Sequence, residues 1–554
     1  MSMRNSQYFM PSNPIQLEVY KHFFSAIAEE MGAILRKSSF SPNIKERRDY
    51  SCAIFDSQGS MIAQAAHIPV HLGSMPLSVK SAISKFNEPR EHLLPGDTII
   101  LNDPFLGGTH LPDITLVTPV FIDAISDYSD KNFVSTLLEE ENNTPIAYVA
   151  NRAHHADIGG MTPGSMPIAR EIYQEGLIIP PLKVVTAGKL NQDILDLILA
   201  NVRTPEERSG DLKAQIGANQ RGEIRLIELI HRYGLEEVSH YMQELLQYTE
   251  RMTRRLISSL PNGKFSFADY LDNNGITDEE IIIKVTITIE DDEALVDFTG
   301  SAPQQDGSVN AVYAITLSAV NYVFRSLIGL DVPNNSGCLI PIQIIAPTGT
   351  IVNAIHPAPV AGGNVETSQR IVDVLLGALA QACPDRIPAA SQGTMNNVSI
   401  GGWDPYRNRF FTYYETIGGG TGGSQSSDGT SAIHSHMTNT LNTPIEALEY
   451  TYPLQVIRYC IRENSGGRGA HFGGDGIIRE VKLLTNAQVT LLSERRATSP
   501  YGLAGGEPGQ RGENKLIHDS KEIILSGKSS FYSSKGDILS ISTPGGGGYG
   551  IRDG

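Results

Sequence analysis

Two short blocks between Leu101 and Gly160 gather side chains able to hold a divalent metal. The first reads Asn102-Asp103-Pro104-Phe105-Leu106-Gly107-Gly108-Thr109-His110-Leu111-Pro112-Asp113. The second reads Asn151-Arg152-Ala153-His154-His155-Ala156-Asp157-Ile158-Gly159-Gly160. Imidazole and carboxylate donors in glycine-flanked turns suit a catalytic ion that keeps one coordination position open. Such an ion activates a water or polarises a carbonyl. His110 and Asp113 stand three apart, and Pro112 between them bars a regular helix, so a tight turn has to aim both inward. His154 and His155 are neighbours, and in an extended chain neighbours face opposite sides. One of them would meet the ion or the substrate, and the other would pack or brace a ligand. Asp157 either orients a ligand, takes a proton, or caps the Gly159–Gly160 turn with its side chain.

Other polar residues carry weaker patterns. Asp49 follows the run Lys45-Glu46-Arg47-Arg48 and precedes a strand, where it is either a further metal carboxylate or a turn residue paired with Arg47 or Arg48. His67 and His71 have helical spacing, but Pro69 between them points to loop residues that line a pocket or hold structure. Asp211, Gln215 and Asn219 fall on one helical face, the usual pattern of a solvated stripe. The run Gly418-Gly419-Gly420-Thr421-Gly422-Gly423 could cradle an anion through its N–H groups or form a flexible interface loop. His434, His436, Glu463 and Arg468 lie in the same glycine-rich part of the chain and carry no clear pattern.

The elements that must position these groups are legible in outline. Pro14 opens an amphipathic helix to about Lys37, with Asn13 as its cap and Leu17, Tyr20, Phe24, Ile27, Met31, Ile34 and Leu35 at helical spacing. Residues 50–56 and 61–64 read as a β-hairpin. Ser74 caps a second helix with Pro76 in its first turn. Strands at 98–102 and 114–122 bracket the first block, a polar acidic excursion follows at 123–144, and a strand at 145–151 delivers the second block. Residues 180–260 read as helical, with a long helix at 205–233. Strands at 264–300, helices near 312–329 and 366–382, and a strand-and-turn tail from 475 complete an α+β chain with mixed sheets and long glycine-rich loops. We expect two or three subdomains, with regions at 1–260 (metal-binding), 261–474 (mixed α/β) and 475–554 (β-rich).

Composition narrows the functional classes. Of 554 residues, 40% are hydrophobic and 19% charged, as in a soluble globular protein, and the formal net charge is −17. A surface that acidic opposes binding to a nucleic-acid backbone or an anionic membrane. The N-terminal residues lack an apolar run, and the apolar segment 371–383 is shorter than the ~20 residues a bilayer needs, so a cytoplasmic location is expected. Cys52, Cys338, Cys383 and Cys460 form no close pair and read as reduced structural thiols. The 53 glycines fall in clusters, which suggests a protein built largely around loops. No GxxxxGK[ST] phosphate loop is present.

Six runs together resemble the hydantoinase B family. They are Ser41 to Ser51, Ala66 to Met75, Asn102 to Asp113, His154 to Gly160, Gly362 to Arg370, and Thr543 to Gly550, in order and over nearly the whole chain. Related chains of that family form the C-terminal half of 5-oxoprolinase and the large subunits of acetone and acetophenone carboxylases. The resemblance implies a hetero-oligomer in which a hydantoinase A-type ATPase subunit phosphorylates the substrate oxygen with ATP. This chain would then hydrolyse the activated cyclic amide at a divalent metal, manganese, iron or zinc. It implies Asp49, His110, Asp113 and a histidine of the second block, His154 ahead of His155, as metal ligands, and their neighbours His155 and Asp157 are read from their positions as the catalytic candidates. The alternative is a carboxylase subunit that directs a phosphorylated ketone's enolate to carbon dioxide at the same ligands.

Overall fold

The computed structural model describes residues 13–65, 68–87, 92–122, 144–329 and 331–552. The expectations for His67 and for the acidic excursion over 123–143 fall outside these residues.

Helix α1 (Pro14–Ser38) begins as its sequence requires. Pro14 occupies the first turn, and Asn13 accepts a hydrogen bond from the Ile15 N–H at 3.0 Å. Its buried stripe, Tyr20, Phe24, Ile27, Met31 and Leu35, packs along α5 (Pro205–Tyr233), which likewise starts at a proline. Between them in sequence lie a one-turn helix α2 (Pro42–Lys45), α3 (Ser74–Phe86) and α4 (Gln192–Ala200). Ser74 is the first residue of α3 and not its cap: the cap position is Gly73, and the Ser74 hydroxyl donates to the Val70 carbonyl at 3.2 Å.

The sheet that carries the site has seven strands, in the order β2-β1-β5-β4-β3-β6-β7. These are β1 (Tyr50–Asp56), β2 (Met61–Gln64), β3 (Thr98–Leu101), β4 (Asp113–Val120), β5 (Ala147–His154), β6 (Leu182–Thr186) and β7 (Lys189–Leu190). The β1–β2 hairpin is as expected. Residues 182–190, expected as helix, are instead the β6–β7 hairpin, where Val184 and Val185 favour a strand that β3 can pair. β1, β4 and β5 are buried along their whole length, because α1 and α5 cover the sheet.

After α6 (Leu235–Ser258) come β8 (Gly263–Leu271), β9 (Ile281–Glu290) and β10 (Glu293–Asp297). They form a four-stranded sheet with β11 (Ile342–Ile345), which pairs parallel to β10. Helix α7 (Tyr313–Ile328) packs on α8 (Ser368–Ala382), which lies against β8 and β9 and is preceded by a π-helical turn at Gly363–Thr367. The rest is a short helix α9 (Ile445–Thr451) and two antiparallel sheets, β13-β12-β16-β19 and β14-β15-β20-β17-β18, built from β12 (Asn397–Asp404), β13 (Arg409–Glu415), β14 (Leu454–Arg462), β15 (Gly476–Leu483), β16 (Ala487–Leu492), β17 (Glu513–His518), β18 (Lys521–Leu525), β19 (Lys528–Ser533) and β20 (Ile538–Ser542). The result is α+β with mixed sheets. Its largest buried core includes Ile257 and Leu271 on either side of residue 260, and Leu492 beyond residue 474. Among the described residues, no helix is long and apolar enough to cross a membrane.

The glycine clusters at 418–423, 473–474 and 545–548 are interior joints and not surface loops. Gly420 donates to the Pro544 carbonyl, Gly423 to Gly547, Gly474 to Thr421 and Gly546 to Gly474, all at 2.8–3.1 Å. A Cβ on Gly420 would lie 1.8 Å from the Gly474 oxygen, so only glycine allows these segments to run side by side.

Candidate metal centre

Pairing register brings the two sequence blocks together. β4 and β5 are antiparallel with Asp113 opposite His154, so both side chains leave the same face at the same end of the sheet. The His154 N–H donates to the Asp49 carbonyl at 3.0 Å, which sets the residue preceding β1 at that end as well. His110 arrives by the turn before β4, closed by an Asp113 N–H to His110 carbonyl bond of 3.1 Å. Gly107 makes the turn possible. Its φ is +93°, and a Cβ there would lie 2.5 Å from the Leu77 carbonyl carbon.

Three donor atoms then form a nearly equilateral triangle. His110 Nε2 lies 3.2 Å from Asp113 Oδ1, His154 Nδ1 lies 3.2 Å from the same oxygen, and the two nitrogens are 3.1 Å apart. Atoms held about 2.1 Å from one ion at octahedral or tetrahedral angles are about 3.0–3.4 Å apart. The triangle therefore has the dimensions of one face of a metal coordination shell, and its donors are of the mixed N/O type that manganese, iron and zinc accept. His110, Asp113 and His154 are also the only His, Cys, Asp or Glu group among the described residues with all ligand atoms within 4.8 Å. All three are buried to 2% exposure or less. Asp49 lies outside that tight set. Its carboxylate stands 3.6 Å from the Arg47 guanidinium, while its charge still acts on His154.

The surroundings fix this face from behind. Asp113 Oδ2 accepts a short hydrogen bond from the Thr109 hydroxyl and lies 3.3 Å from His71 Nε2. His71 Nδ1 in turn meets Ser51 Oγ at 2.9 Å. His110 Nδ1 faces the Ala361 carbonyl at 3.3 Å, which turns Nε2 towards the triangle. The Ala361 segment is itself anchored: the Val360 and Ala361 N–H groups each donate to the Glu175 carboxylate at 3.0 Å. Asn364 Nδ2 closes on His110 Nε2 at 3.0 Å. The His154 ring stacks on Tyr414, centroids 4.5 Å apart, and the Arg47 guanidinium covers the same tyrosine.

Electrostatics follow from this packing. Burial alone would raise the Asp113 carboxyl, but His110, His154 and His71 around it hold it well below the usual range. Burial pushes His71 and His154 down, against the pull of Asp113, so both rings are neutral near pH 7. A charged Asp113 carboxylate beside a neutral His154 imidazole is the ionisation state in which this pair can ligate.

His155 and Asp157 do not reach the triangle. The β5 alternation turns His155 away, so that its Nε2 meets Gln215 Oε1 at 2.9 Å, and burial and Arg208 push it down to about 4. Asp157 is bound by Arg203, through the guanidinium at 2.8 Å and the backbone N–H at 2.6 Å. The α5 stripe expected to be solvated is buried instead. Gln215 and Asn219 donate to the Ile114 and Leu116 carbonyls and bond Asn151, while Asp211 accepts from the Phe40 and Ser41 N–H groups.

Residues 13–552 match the family model described as Hydantoinase B/oxoprolinase. The chain is 47% identical over 537 residues to uncharacterized protein MJ0963 of Methanocaldococcus jannaschii, covering 97% of this chain and 90% of the relative. It is 41% identical over 560 residues to 5-oxoprolinase 1 of Arabidopsis thaliana, covering 97% of this chain and 42% of that protein. It thus spans about two-fifths of that longer relative. The ATP-dependent caprolactamase from Pseudomonas jessenii has the same fold, with a TM-score of 0.88 at 30% identity over 98% of this chain and 92% of the other.

Proposed function

The chain belongs to the Hydantoinase B/oxoprolinase family, and from that premise we propose that it hydrolyses the C–N bond of a cyclic amide whose oxygen a partner ATPase subunit has phosphorylated. The observation that carries the reading is the 3.1–3.2 Å triangle of His110 Nε2, Asp113 Oδ1 and His154 Nδ1. Two facts support a separate source of phosphoryl groups. The sequence has no P-loop, and the relative named 5-oxoprolinase 1 carries more than half its length beyond the part this chain matches.

A lactam carbonyl is a poor electrophile because the nitrogen donates into it, and phosphorylation of its oxygen opens that carbon to water: water adds, the ring C–N bond breaks as the nitrogen takes up a proton, and the acyl phosphate left behind is hydrolysed to a carboxylate and inorganic phosphate. His110, Asp113 and His154 would hold a divalent ion, and Asp49, just before β1, is the carboxylate available as a further ligand. Bound there, the ion supplies Lewis acidity and lowers the pKa of water at the site. Asp113 balances part of the ion's charge, while Thr109 and His71 keep its carboxylate from rotating. Burial of the triangle excludes bulk water, which protects a phosphorylated intermediate from uncontrolled hydrolysis. His155 and Asp157 act as braces: one ties β5 to α5, and the other ties the second glycine turn to Arg203.

The test is the complex purified with its hydantoinase A-type partner, assayed for phosphate release and ring opening with 5-oxoproline and hydantoin. The expected result is a bound divalent metal in the wild type, and loss of both metal and turnover in His110→Ala. Full turnover by metal-free protein would refute the reading. Bicarbonate-dependent consumption of a ketone, with no amide opened, would replace it by the carboxylase alternative.

A further inference from the structure

Beside the triangle lies a group of buried polar atoms with no partner among the described residues. His434 has both ring nitrogens in this state, Gln369 its Oε1, Asn364 its Oδ1, Ser435 its Oγ and His436 its Nε2. Buried polar atoms are hydrogen-bonded with few exceptions, so such a concentration marks a place shaped for a polar guest.

The position of the group is fixed from three sides. Gln369 Nε2 donates to the Ser435 carbonyl at 3.0 Å, and Gln369 sits five residues after Asn364, which touches His110. The Val70 N–H donates to the Met437 carbonyl at 3.2 Å, next to His71, which holds Asp113. Arg47, whose guanidinium covers Tyr414 behind His154, also acts on His434. Residues 434–437 therefore lie against the segments that hold the metal centre. His436 does so at a φ of +58°, a conformation non-glycine residues seldom hold.

The chemistry of the unpartnered atoms is selective. The Ser435 carbonyl can only accept, so Gln369 must present Nε2 to it, and Oε1 is left as a bare acceptor. An acceptor calls for a donor on the guest. A lactam or hydantoin ring offers an N–H, and a simple ketone offers none. In an O-phosphorylated ring, an N–H retained against such an oxygen also keeps the adjacent carbon cationic and open to attack. The neutral His434 imidazole accepts at one nitrogen and donates at the other, which suits the opposite edge of an amide.

We propose that Gln369 and His434, completed by Asn364 at His110, form the wall that recognises the ring N–H of a cyclic amide at this centre. The proposal rests on the cyclic-amide reading above and makes these groups positioning residues for it.

The experiment uses the full complex and compares 5-oxoproline with its N-methyl derivative, and hydantoin with its 1-methyl and 3-methyl derivatives. In the wild type, methylation of the recognised nitrogen should lower kcat/KM at least tenfold. Gln369→Leu and His434→Ala should each lose ten- to hundredfold on the N–H substrate, mainly in KM, while their metal content stays at the wild-type level. The preference for N–H over N-methyl should collapse towards one in Gln369→Leu. An active wild type indifferent to methylation at every ring nitrogen overturns the proposal without touching the cyclic-amide reading, and needs no variant. Variants that keep the preference, or that lose the metal, overturn it as well. A metal-loaded wild type inert towards every cyclic amide overturns the functional reading first, and this proposal with it.

Discussion

His71 does not belong to the donor triangle, yet its replacement by asparagine should weaken the metal by an amount the structure bounds. Its imidazole is 1% exposed and bridges two partners, Ser51 Oγ at 2.9 Å and Asp113 Oδ2 at 3.3 Å. An asparagine amide can stand where Nδ1 stands and keep Ser51 satisfied, but it is too short to reach Asp113. The substitution thus removes one contact to a charged carboxylate, leaving Oδ2 with the Thr109 hydroxyl alone. Hydrogen bonds to charged groups contribute about 1.5–3 kcal/mol. A 3.3 Å separation is at the long edge of good geometry, so the lower part of that range applies, about 1.5–2 kcal/mol. That corresponds to a ten- to thirtyfold rise in metal Kd, within the ten- to hundredfold expected when a ligand's supporting partner is removed. The assay is competition against a chelating dye at fixed pH, followed by kcat at saturating metal, which should stay within severalfold of wild type. His155→Asn, whose ring points to Gln215, serves as the control and should leave the metal Kd unchanged. An unchanged Kd in His71→Asn, or an equal rise in the control, would refute the claim that His71 acts through Asp113.

Two further variants test the residues beside the centre. Asp157→Asn keeps the shape of the turn but weakens the pairing with Arg203, so it should lower stability by about 1–2 kcal/mol in denaturant titrations with kcat nearly retained. A loss of ~10²-fold or more in kcat would make Asp157 a proton-transfer group after all. His155→Asn carries a pH signature. In the fold its ring is pushed from 6.5 to about 4 by burial and Arg208, so below about pH 6.5 the unfolded chain binds a proton that the native chain refuses. Wild-type stability should therefore fall relative to the variant as pH drops from 6.5 towards 4, by about 1.4 kcal/mol per unit, or ~3 kcal/mol in all. A difference that stays flat across that window would mean the ring is solvated.

The parts of the site legible in the sequence are those where chemistry and local geometry coincide. His110 and Asp113 lie in one turn, with the glycine that the turn needs beside them, and the period of two in β5 separates His154 from His155. That alternation is local, and the structure follows it: one ring enters the triangle and the other meets Gln215. Long helices with proline starts, such as α1 and α5, were equally readable because their signals lie within the element. What the chain could not show was which element stands opposite. Residues 182–190 look helical beside their helical neighbours, and become strands because β3 presents an edge for them to pair. The polar stripe at Asp211, Gln215 and Asn219 has the period of a wet helix face, and the sequence holds no sign that bare carbonyls at Ile114 and Leu116 would meet it.

The same distinction explains why the supports of the centre were harder to read than its donors. Glu175 reaches His110 only through the backbone at Ala361, 186 residues away in sequence, and no spacing rule links them. Pro69 rules out the α-helix that the His67–His71 spacing would require, and leaves His71 as a loop residue that lines a pocket or holds structure. The proline in fact starts a 3₁₀ turn at Pro69–His71, and that turn delivers the ring to Asp113. A motif breaker was thus itself the positioning device, and only the tertiary partner reveals it. Donor identity can be inferred from a motif, whereas the ionisation and orientation of those donors depend on long-range closure by residues with no motif of their own. It follows that substitutions at Glu175 or His71, far from the blocks that announce the site, should move metal affinity more than substitutions at Asp157, which lies within one.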